Sequence, residues 1–277
     1  MVNLKELYLS LKKELSLVTE DADFEAREIL KYLFGVSYSD IVSGKEILNF
    51  KAELLEKIVS KRKERYPLQY IFGEWDFYGR NFLVGEGVLI PRADTEVLVE
   101  EVLKFLKPIK SPKVIDLCSG SGCIGITVKL EREDSKVWAV ENSEKAFNFL
   151  TKNCQRLNAD VNCIFADALK EDTVSGAYDL IVSNPPYLTK EDMSSLQAEV
   201  KFEPFEALYG QDDGLFFYRE ITKIYAEKLK PKGMIAYEIG EGQEGSVIQI
   251  LKENSFEFVC QIKDYNGIIR CVTGIKP

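Results

Sequence analysis

The sequence of 277 residues predicts an α/β protein, in which a small all-α domain and a linking β-hairpin precede a doubly wound, mainly parallel sheet. Three observations support this prediction. The first part of the chain has apolar side chains three and four residues apart, which is the spacing of helices. From residue 113 onwards, strand-like and helix-like segments alternate, as is typical of parallel sheets. The last two strand-like segments have no helix between them, so we expect them to form a C-terminal antiparallel pair.

Three helices are predicted in the N-terminal part. The first has an apolar face formed by Leu4, Leu7, Leu11 and Leu15. We expect Gly35 to end the second helix and Asn49 to cap the third. The third helix ends in the basic run at 61–65, Lys-Arg-Lys-Glu-Arg. We interpret this run as a solvated helix end that suits the helix dipole, with a contact to RNA or to a partner protein as the alternative.

A linker follows the helices. Aromatic residues cluster around Gly79 and predict a β-hairpin. The segment 91–96, Pro-Arg-Ala-Asp-Thr-Glu, then opens another helix. We therefore divide the chain into an N-terminal helical domain, 1–73, and a second domain, 74–277, which contains the hairpin and the sheet.

The remaining elements are predicted from the period of the apolar residues. Strands are expected at 113–117, 136–140, 163–166, 178–183, 234–239, 256–263 and 268–273. Helices are expected at 122–130, 144–157, 215–229 and 243–253.

Composition excludes several kinds of site. The chain has no histidine, and its six cysteines form no C-x-x-C pair, so we expect no metal site and no Ser-His or Cys-His catalysis. Apolar runs are too short to span a bilayer and the N-terminus does not resemble a signal peptide, so we expect no membrane contact and a cytoplasmic protein. The net charge of −9 lies entirely beyond residue 73, where 24 basic residues face 33 acidic ones. Such a surface is poorly suited to tracking duplex DNA.

A strand running into a glycine-rich turn predicts a cofactor site. Residues 120–125 match G-x-G-x-x-G, a pattern shared by dinucleotide enzymes, methyltransferases and some structural turns. Asp116 precedes the turn, where a carboxylate would repel a pyrophosphate and attract the cationic amino group of S-adenosylmethionine. Glu141 ends the next strand and suits both ribose hydroxyls, and Asp167 ends the third and suits the adenine amino group. The alternative is that Glu141 and Asp167 are ordinary surface acids.

The segment Asn184-Pro185-Pro186-Tyr187 ends the fourth strand and predicts a methyl-acceptor site. An amide nitrogen is a poor nucleophile because its lone pair is delocalised into the carbonyl. The Asn184 side-chain oxygen and the Pro185 carbonyl can accept its two N–H bonds and so direct the lone pair toward a methyl donor. The prolines fix the backbone, and Tyr187 can pack on the flat acceptor group or shape its pocket. The alternative is a plain turn.

The motifs together resemble the class I S-adenosylmethionine-dependent methyltransferases, and within them the bacterial release factor glutamine N5-methyltransferases, the HemK/PrmC group. The resemblance covers nearly the whole chain, and the stretch Ile90-Pro91-Arg92-Ala93-Asp94-Thr95-Glu96 is specific to it. Further matching segments are 67–73, 77–79, 88–89, 116–122, 184–187, 203–204 with 207–208, 213–215, and 238–240 with Gln243.

This resemblance implies a seven-stranded Rossmann-like sheet and a substrate, the glutamine of the Gly-Gly-Gln loop in class 1 peptide chain release factors. S-adenosylmethionine would leave as S-adenosylhomocysteine, and the helical domain would help to dock the release factor. By position, the cofactor contacts are Cys118, Ser119, Gly120, Ser121, Gly122, Glu141, Asp167, Ala168 and Asn184. The glutamine would be held by Asn184, Pro185, Pro186 and Tyr187, and Arg92 would line the approach.

The chain departs from the family pattern at three places. Cys118-Ser119 replaces a Gly-Thr type of pair, Glu141 replaces an aspartate, and Ala166-Asp167-Ala168 replaces a turn that often carries a larger side chain. Two other functions compete. An adenine-N6 methyltransferase would need a basic groove for the flipped base. A non-catalytic dinucleotide-binding protein would leave Asn184–Tyr187 unexplained.

Overall fold

A computed structural model describes residues 1–171 and 173–277. These residues form two compact units. The first contains residues 1–73 together with 197–202, a short segment that the sequence did not assign to it. The second contains residues 74–196 and 203–277.

The first unit is mainly helical. Its elements are β1 (Val2–Asn3), α1 (Leu4–Leu15), α2 (Ala22–Phe34), α3 (Tyr38–Val42), β2 (Glu46–Ile47), α4 (Ala52–Lys63) and α5 (Leu68–Phe72). The Asn3 side chain caps α1, and Gly35, with φ of 63°, ends α2 as predicted. Asn49 does not cap the third predicted helix, because α4 begins at Ala52. Contacts with α2 set this start: Lys51 donates to the Leu33 carbonyl at 2.7 Å, and Phe50 stacks on Phe34.

The basic run at the end of α4 is not simply a solvated helix end. Arg62 is 1% exposed and donates to both oxygens of Glu25 at 2.8 Å. Arg62 and Arg65 also donate to Glu199 of the 197–202 segment, at 3.0 and 2.7 Å. The solvated interpretation is therefore wrong for Arg62, whose buried charge is matched by carboxylates within the same unit.

The second unit begins with the predicted hairpin. Its elements are β3 (Glu74–Phe77), β4 (Arg80–Leu83), α6 (Thr95–Leu106), β5 (Lys113–Leu117), α7 (Cys123–Glu131), β6 (Lys136–Glu141), α8 (Glu144–Arg156), β7 (Val161–Phe165), β8 (Tyr178–Ser183), α9 (Lys190–Ser194), α10 (Phe216–Tyr225), β9 (Leu229–Glu238), α11 (Glu244–Glu253), β10 (Glu257–Lys263) and β11 (Ile269–Ile275). The turn residues Tyr78 and Gly79 both have positive φ, as a two-residue hairpin requires.

Seven strands form one sheet in the order β10-β11-β9-β8-β5-β6-β7. The pairs among β9, β8, β5, β6 and β7 are parallel, whereas β11 runs antiparallel to both β9 and β10. Helices α6, α7 and α8 cover one face, and α10 and α11 cover the other. The predicted fold class is confirmed. Because β5, β6, β8 and β9 are parallel, the loops that follow them lie at the same edge of the sheet.

Each face of the sheet buries alternate residues of the same strands. Val182 and Ala236 pack with α6 and α7, whereas Ile181 and Tyr237 pack with α10 and α11. No helix in the described residues is long and apolar enough to cross a bilayer.

Candidate active site

The glycine-rich turn connects β5 to α7. Gly120 and Gly122 have φ of 55° and 82°, which is the left-handed region that favours glycine. A Cβ on Gly122 would lie 2.4 Å from Leu150, whereas a Cβ on Gly120 would meet nothing within 4 Å. Gly122 is therefore required by packing, and Gly120 leaves open space on the outer side of the turn.

Hydrogen bonds of Ser119 and Ser121 connect this turn to its neighbours. The Ser119 hydroxyl donates to the Asp116 carbonyl at 2.8 Å and to the Val140 carbonyl at 3.2 Å. The Ser121 side chain is buried, and its carbonyl accepts from Asn153 at 2.9 Å. Burial raises the pKa of the Cys118 thiol well above its usual range, so this cysteine stays protonated and is no nucleophile.

Glu141 links the end of β6 to the turn. Its Oε2 accepts the Gly120 N–H at 2.8 Å, and its Oε1 accepts the Ser143 N–H at 2.8 Å. The carboxyl is nearly buried, and this desolvation raises its pKa. Each oxygen has a second lone pair, so the group can still accept from a ligand. The glutamate is thus no ordinary surface acid, because it holds the glycine turn in place.

Asp116 lies deeper than the sequence suggested. Its side chain is fully buried, and Oδ2 accepts the Gly125 N–H at 2.9 Å in the first turn of α7. Oδ1 has no partner among the described residues, and burial raises the pKa of this carboxyl to about 7. The carboxylate therefore stabilises the start of α7 from below. Its contact with a cofactor amino group stays a prediction.

Asp167 and Ala168 follow β7. The Asp167 carboxylate accepts the Leu169 N–H at 2.9 Å, and its carbonyl accepts the Thr173 hydroxyl at 2.5 Å. Asp167 is half-buried and Ala168 is buried. These bonds give the turn a fixed shape, while the aspartate keeps part of its surface free for a ligand.

The segment Asn184–Tyr187 leaves β8 beside the glycine turn. β8 is buried along its whole length, and the Ser183 hydroxyl donates to the Leu117 carbonyl at 2.7 Å, which joins the two strand ends. Both prolines are buried, whereas Asn184 and Tyr187 are half-buried. The segment thus exposes one amide and one ring on a backbone that lacks two N–H donors.

Downstream residues fix this acceptor loop, which we define as residues 184–187. Gln243 donates from Nε2 to the Tyr187 carbonyl at 2.9 Å and accepts the Gly240 N–H at 2.9 Å. A Cβ on Gly214 would lie 2.3 Å from the Tyr187 carbonyl oxygen, and a Cβ on Gly210 would lie 2.6 Å from the Tyr187 Cα. Motif reasoning gave none of these residues a role in the site. Three of them, Gly214, Gly240 and Gln243, lie in the segments 213–215 and 238–240 with Gln243 that match the family.

Arg92 is anchored in the same unit. It pairs with Glu203, a buried carboxylate whose other oxygen accepts the Ile90 N–H at 3.0 Å. About a third of the arginine side chain remains exposed. Among the described residues, no group of three or more Cys, Asp or Glu side chains is placed to hold a metal ion.

Two family descriptions match this chain. "Methyltransferase small domain" matches residues 93–202, and "PrmC N-terminal domain" matches residues 6–73.

Curated relatives named "Release factor glutamine methyltransferase" match most of the chain. The protein from Fusobacterium nucleatum is 43% identical over 82% of this chain, which spans only 64% of that relative's length. The protein from Thermodesulfovibrio yellowstonii is 37% identical over 89% of this chain and 90% of its own. The protein from Bacillus subtilis is 34% identical over 98% of both chains.

Solved structures resemble the fold at lower identity. A methyltransferase from Pyrococcus furiosus has a TM-score of 0.54 and 16% identity, covering 82% of this chain and 99% of its own. The hMettl16 catalytic domain, solved in complex with an RNA hairpin of the MAT2A 3′UTR, has a TM-score of 0.56 and 12% identity, covering 98% and 89%. At such identities the likeness shows the fold alone.

Proposed function

The chain belongs to the release factor glutamine methyltransferases, as its motifs predicted, and we propose that it methylates the side-chain amide nitrogen, N5, of the glutamine in the Gly-Gly-Gln loop of class 1 peptide chain release factors. The observation that carries this proposal is the acceptor loop itself. A half-buried asparagine and a tyrosine flank two buried prolines on the strand next to the glycine turn. An acceptor bound there lies beside the cofactor site.

S-adenosylmethionine is the methyl donor of this family, and it supplies a methyl group on a positively charged sulfur. The residues around the turn fit such a ligand. The space outside Gly120 is open, Glu141 has unused lone pairs, and Asp167 keeps an accessible carboxylate. We propose that 118–122 and Asn184 contact the ligand's amino-acid end, Glu141 the ribose, and Asp167 and Ala168 the adenine.

The acceptor loop makes an amide nitrogen reactive by positioning it. The Asn184 Oδ1 and the Pro185 carbonyl accept the two N–H bonds of the glutamine amide, so that its lone pair faces the methyl group. Tyr187, whose carbonyl is fixed by Gln243, packs on the flat amide. The product loses its extra proton to water after transfer, so no general base is required. Orientation of this kind supplies much of the rate enhancement.

The helical unit is the candidate docking surface for the release factor. Partly exposed aromatic rings lie on it, including Tyr32, which stacks on Phe72 with ring centroids 4.2 Å apart. Aromatic side chains of this kind are enriched in protein interfaces. Release factors work on ribosomes, and we accordingly place the enzyme in the cytoplasm. We further propose that Arg92 lines the path of the glutamine loop.

An adenine-N6 methyltransferase is the competing function, because that exocyclic amine poses the same nucleophile problem. The acidic balance beyond residue 73 argues against a nucleic acid substrate.

A labelling experiment separates the two functions. The protein is incubated with radiolabelled S-adenosylmethionine and one of three acceptors: a class 1 release factor, the same factor with its loop glutamine changed to alanine, or nucleic acid. We expect label on the first only. Label on nucleic acid, or equal label on both release factors, would contradict the proposal.

A further inference from the structure

Glu238, the last residue of β9, is a buried carboxylate with an unused oxygen. Its side chain is 3% exposed, and Oε2 has no hydrogen-bond partner among the described residues. The Thr95 hydroxyl, at the start of α6, hydrogen bonds to the carboxyl. An unpartnered acceptor in a buried position is costly and points to a function.

Although Arg92 and Arg270 both lower the pKa of this carboxylate through space, neither has an ion pair with it in the described part of the chain, because each is paired with another acid. Arg92 pairs with Glu203. Arg270 pairs with Asp94 and with Asp264, both at 3.1 Å. The Oε2 of Glu238 is therefore a buried acceptor without a hydrogen-bond donor among the described residues.

The sheet register places Glu238 beside Asn184. Ser183 pairs with Tyr237 across the parallel strands β8 and β9. The residues that follow them, Asn184 and Glu238, are therefore neighbours, with backbones about 4.8 Å apart. Tyr237 packs on Tyr218 on the α10 face, so the alternation of side chains directs Glu238 to the α6 face. Asn184 follows the last residue of β8, and continuing the alternation by that one residue puts it on the face of Val182, which packs on the α6 side.

An asparagine that accepts hydrogen bonds must be held the right way round. Its carboxamide has an oxygen that accepts and a nitrogen that donates, and a rotation by 180° exchanges them. In the proposed reaction Oδ1 must face the acceptor amide, so Nδ2 needs an acceptor of its own. The unused Oε2 of Glu238 is an acceptor on the neighbouring strand at the level of Asn184.

We propose that Glu238 is a positioning residue: its Oε2, which has no partner in the part of the chain that the structure describes, accepts a hydrogen bond from Asn184 Nδ2 when the acceptor amide is bound, and thereby turns Asn184 Oδ1 toward that amide. This inference rests on the proposed function and adds a residue to it. Glu238 acts through Asn184 and does not take part in methyl transfer itself.

A positioning role for the Glu238 carboxylate predicts that methyl transfer depends on pH. Only the ionised carboxylate is a pure acceptor, since the protonated form can donate to Oδ1 and hold Asn184 the wrong way round. Burial raises the pKa of Glu238 to about 7, so kcat should fall as the pH is lowered through neutrality. The titratable and charged groups around Glu238 are Arg92, Asp94, Cys123, Tyr187, Tyr218, Arg270 and Cys271. Of these, the cysteines and tyrosines have raised pKa values and stay neutral through this range.

Two substitutions test the role in the full-length protein with a release factor as acceptor. Glu238→Leu removes the acceptor, and we expect kcat to fall roughly 100-fold with unchanged affinity for S-adenosylhomocysteine, the scale of loss that misplacement by about 1 Å produces. Glu238→Gln keeps an accepting oxygen but can also donate, as the protonated carboxyl does, so we expect kcat about tenfold below wild type at high pH and loss of the part of the acidic limb that Glu238 causes. In an Asn184→Ser background, which has no Nδ2, Glu238→Gln should have no further effect.

The matched control is Asp179→Asn, which changes a buried carboxylate at the opposite end of β8 whose partners are Lys113 and Lys230. It should leave the acidic limb of the profile in place. A wild-type kcat in Glu238→Leu, or a wild-type acidic limb in Glu238→Gln, would overturn the proposal. Asp116 has a similarly raised pKa and is present in every variant, so any acidic limb that it causes appears in all of them, and the comparison concerns only the part that Glu238→Gln removes.

A second readout does not depend on release factor methylation. In protein labelled with ¹⁵N-asparagine, the Nδ2 resonance of Asn184 is identified by its loss in Asn184→Ser. We expect it to shift with pH near neutrality in wild type and not in Glu238→Gln. If the resonance does not titrate, the role of Glu238 is wrong. If it titrates while wild type leaves release factors unlabelled, the proposed substrate is wrong and the Glu238–Asn184 contact stands.

Discussion

The glycine turn and the acceptor loop leave neighbouring strands at the same edge of the sheet, but they are held in different ways. The turn is fixed mainly from the β5-α7-β6 unit that contains it, through the bonds of Ser119 and Glu141. The acceptor loop is fixed from outside, by Gln243 and by the close approach of Gly210 and Gly214. A cofactor site can thus be built from one βαβ unit, whereas a site for the reacting amide needs distant parts of the chain.

The sharpest way to separate the two regions is Asn184→Ala. It removes one of the two acceptors for the amide N–H bonds, and we expect kcat to fall by about 10³-fold, as when a transition-state hydrogen bond is lost. The affinity for S-adenosylhomocysteine, measured by calorimetry, should change by less than about threefold, because Asn184 is one of several proposed cofactor contacts and the glycine turn is held without it.

Asn148→Ala, an exposed change on α8, serves as the control for Asn184→Ala and should leave both quantities as in wild type. A parallel loss of cofactor affinity and rate in Asn184→Ala would mean that the two regions are one site energetically.

The same contrast explains what the sequence could predict. The strand, turn and helix around Gly120, and the acids at the ends of β6 and β7, follow from local patterns, and the sheet order confirms the fold class. The depth of Asp116 did not follow, because which side of a turn a carboxylate occupies depends on the packing of α7. Gln243 could not be placed from its neighbours alone, since its partner lies 56 residues away.

The start of α4 teaches the same lesson in the first unit. Asn49 has the right chemistry for an N-cap, but the contacts of Lys51 and Phe50 with α2 delay the helix to Ala52. Arg62 likewise has the appearance of a solvent-facing charge until Glu25 and Glu199 are brought to it. Tertiary contacts override local preference at both positions.

Within the glycine turn, one alanine substitution should mainly lower stability and the other should mainly lower cofactor affinity. Both Gly120→Ala and Gly122→Ala place a side chain at positive φ, a strain of about 1–2 kcal/mol. Gly122→Ala also forces a methyl group against Leu150, which adds about 1–3 kcal/mol to the loss in the free energy of unfolding. Gly120→Ala meets open space, where the cofactor is expected, so it should weaken cofactor affinity about tenfold.

Denaturant unfolding measures the stability of the two glycine variants, and calorimetry measures their cofactor affinity. Each variant is the control for the other. Equal losses of stability would show that Leu150 yields to the added methyl group. Unchanged cofactor affinity in Gly120→Ala would place the ligand away from the turn.

The smallest expected effect comes from the residue that fixes the acceptor loop. Gln243→Glu keeps the oxygen that accepts from Gly240 but replaces the Nε2 donor by a second acceptor facing the Tyr187 carbonyl. The loop should loosen, and we expect kcat to fall about tenfold with unchanged cofactor affinity, because positioning of the amide depends on the loop and cofactor binding does not. Gln249→Glu, an exposed change on α11, the helix that Gln243 precedes, should be neutral. If Gln243→Glu left kcat unchanged, the loop would have to be rigid through its prolines and the backbone contacts of Gly210 and Gly214 alone, and the division between a locally built turn and an externally held loop would lose its main support.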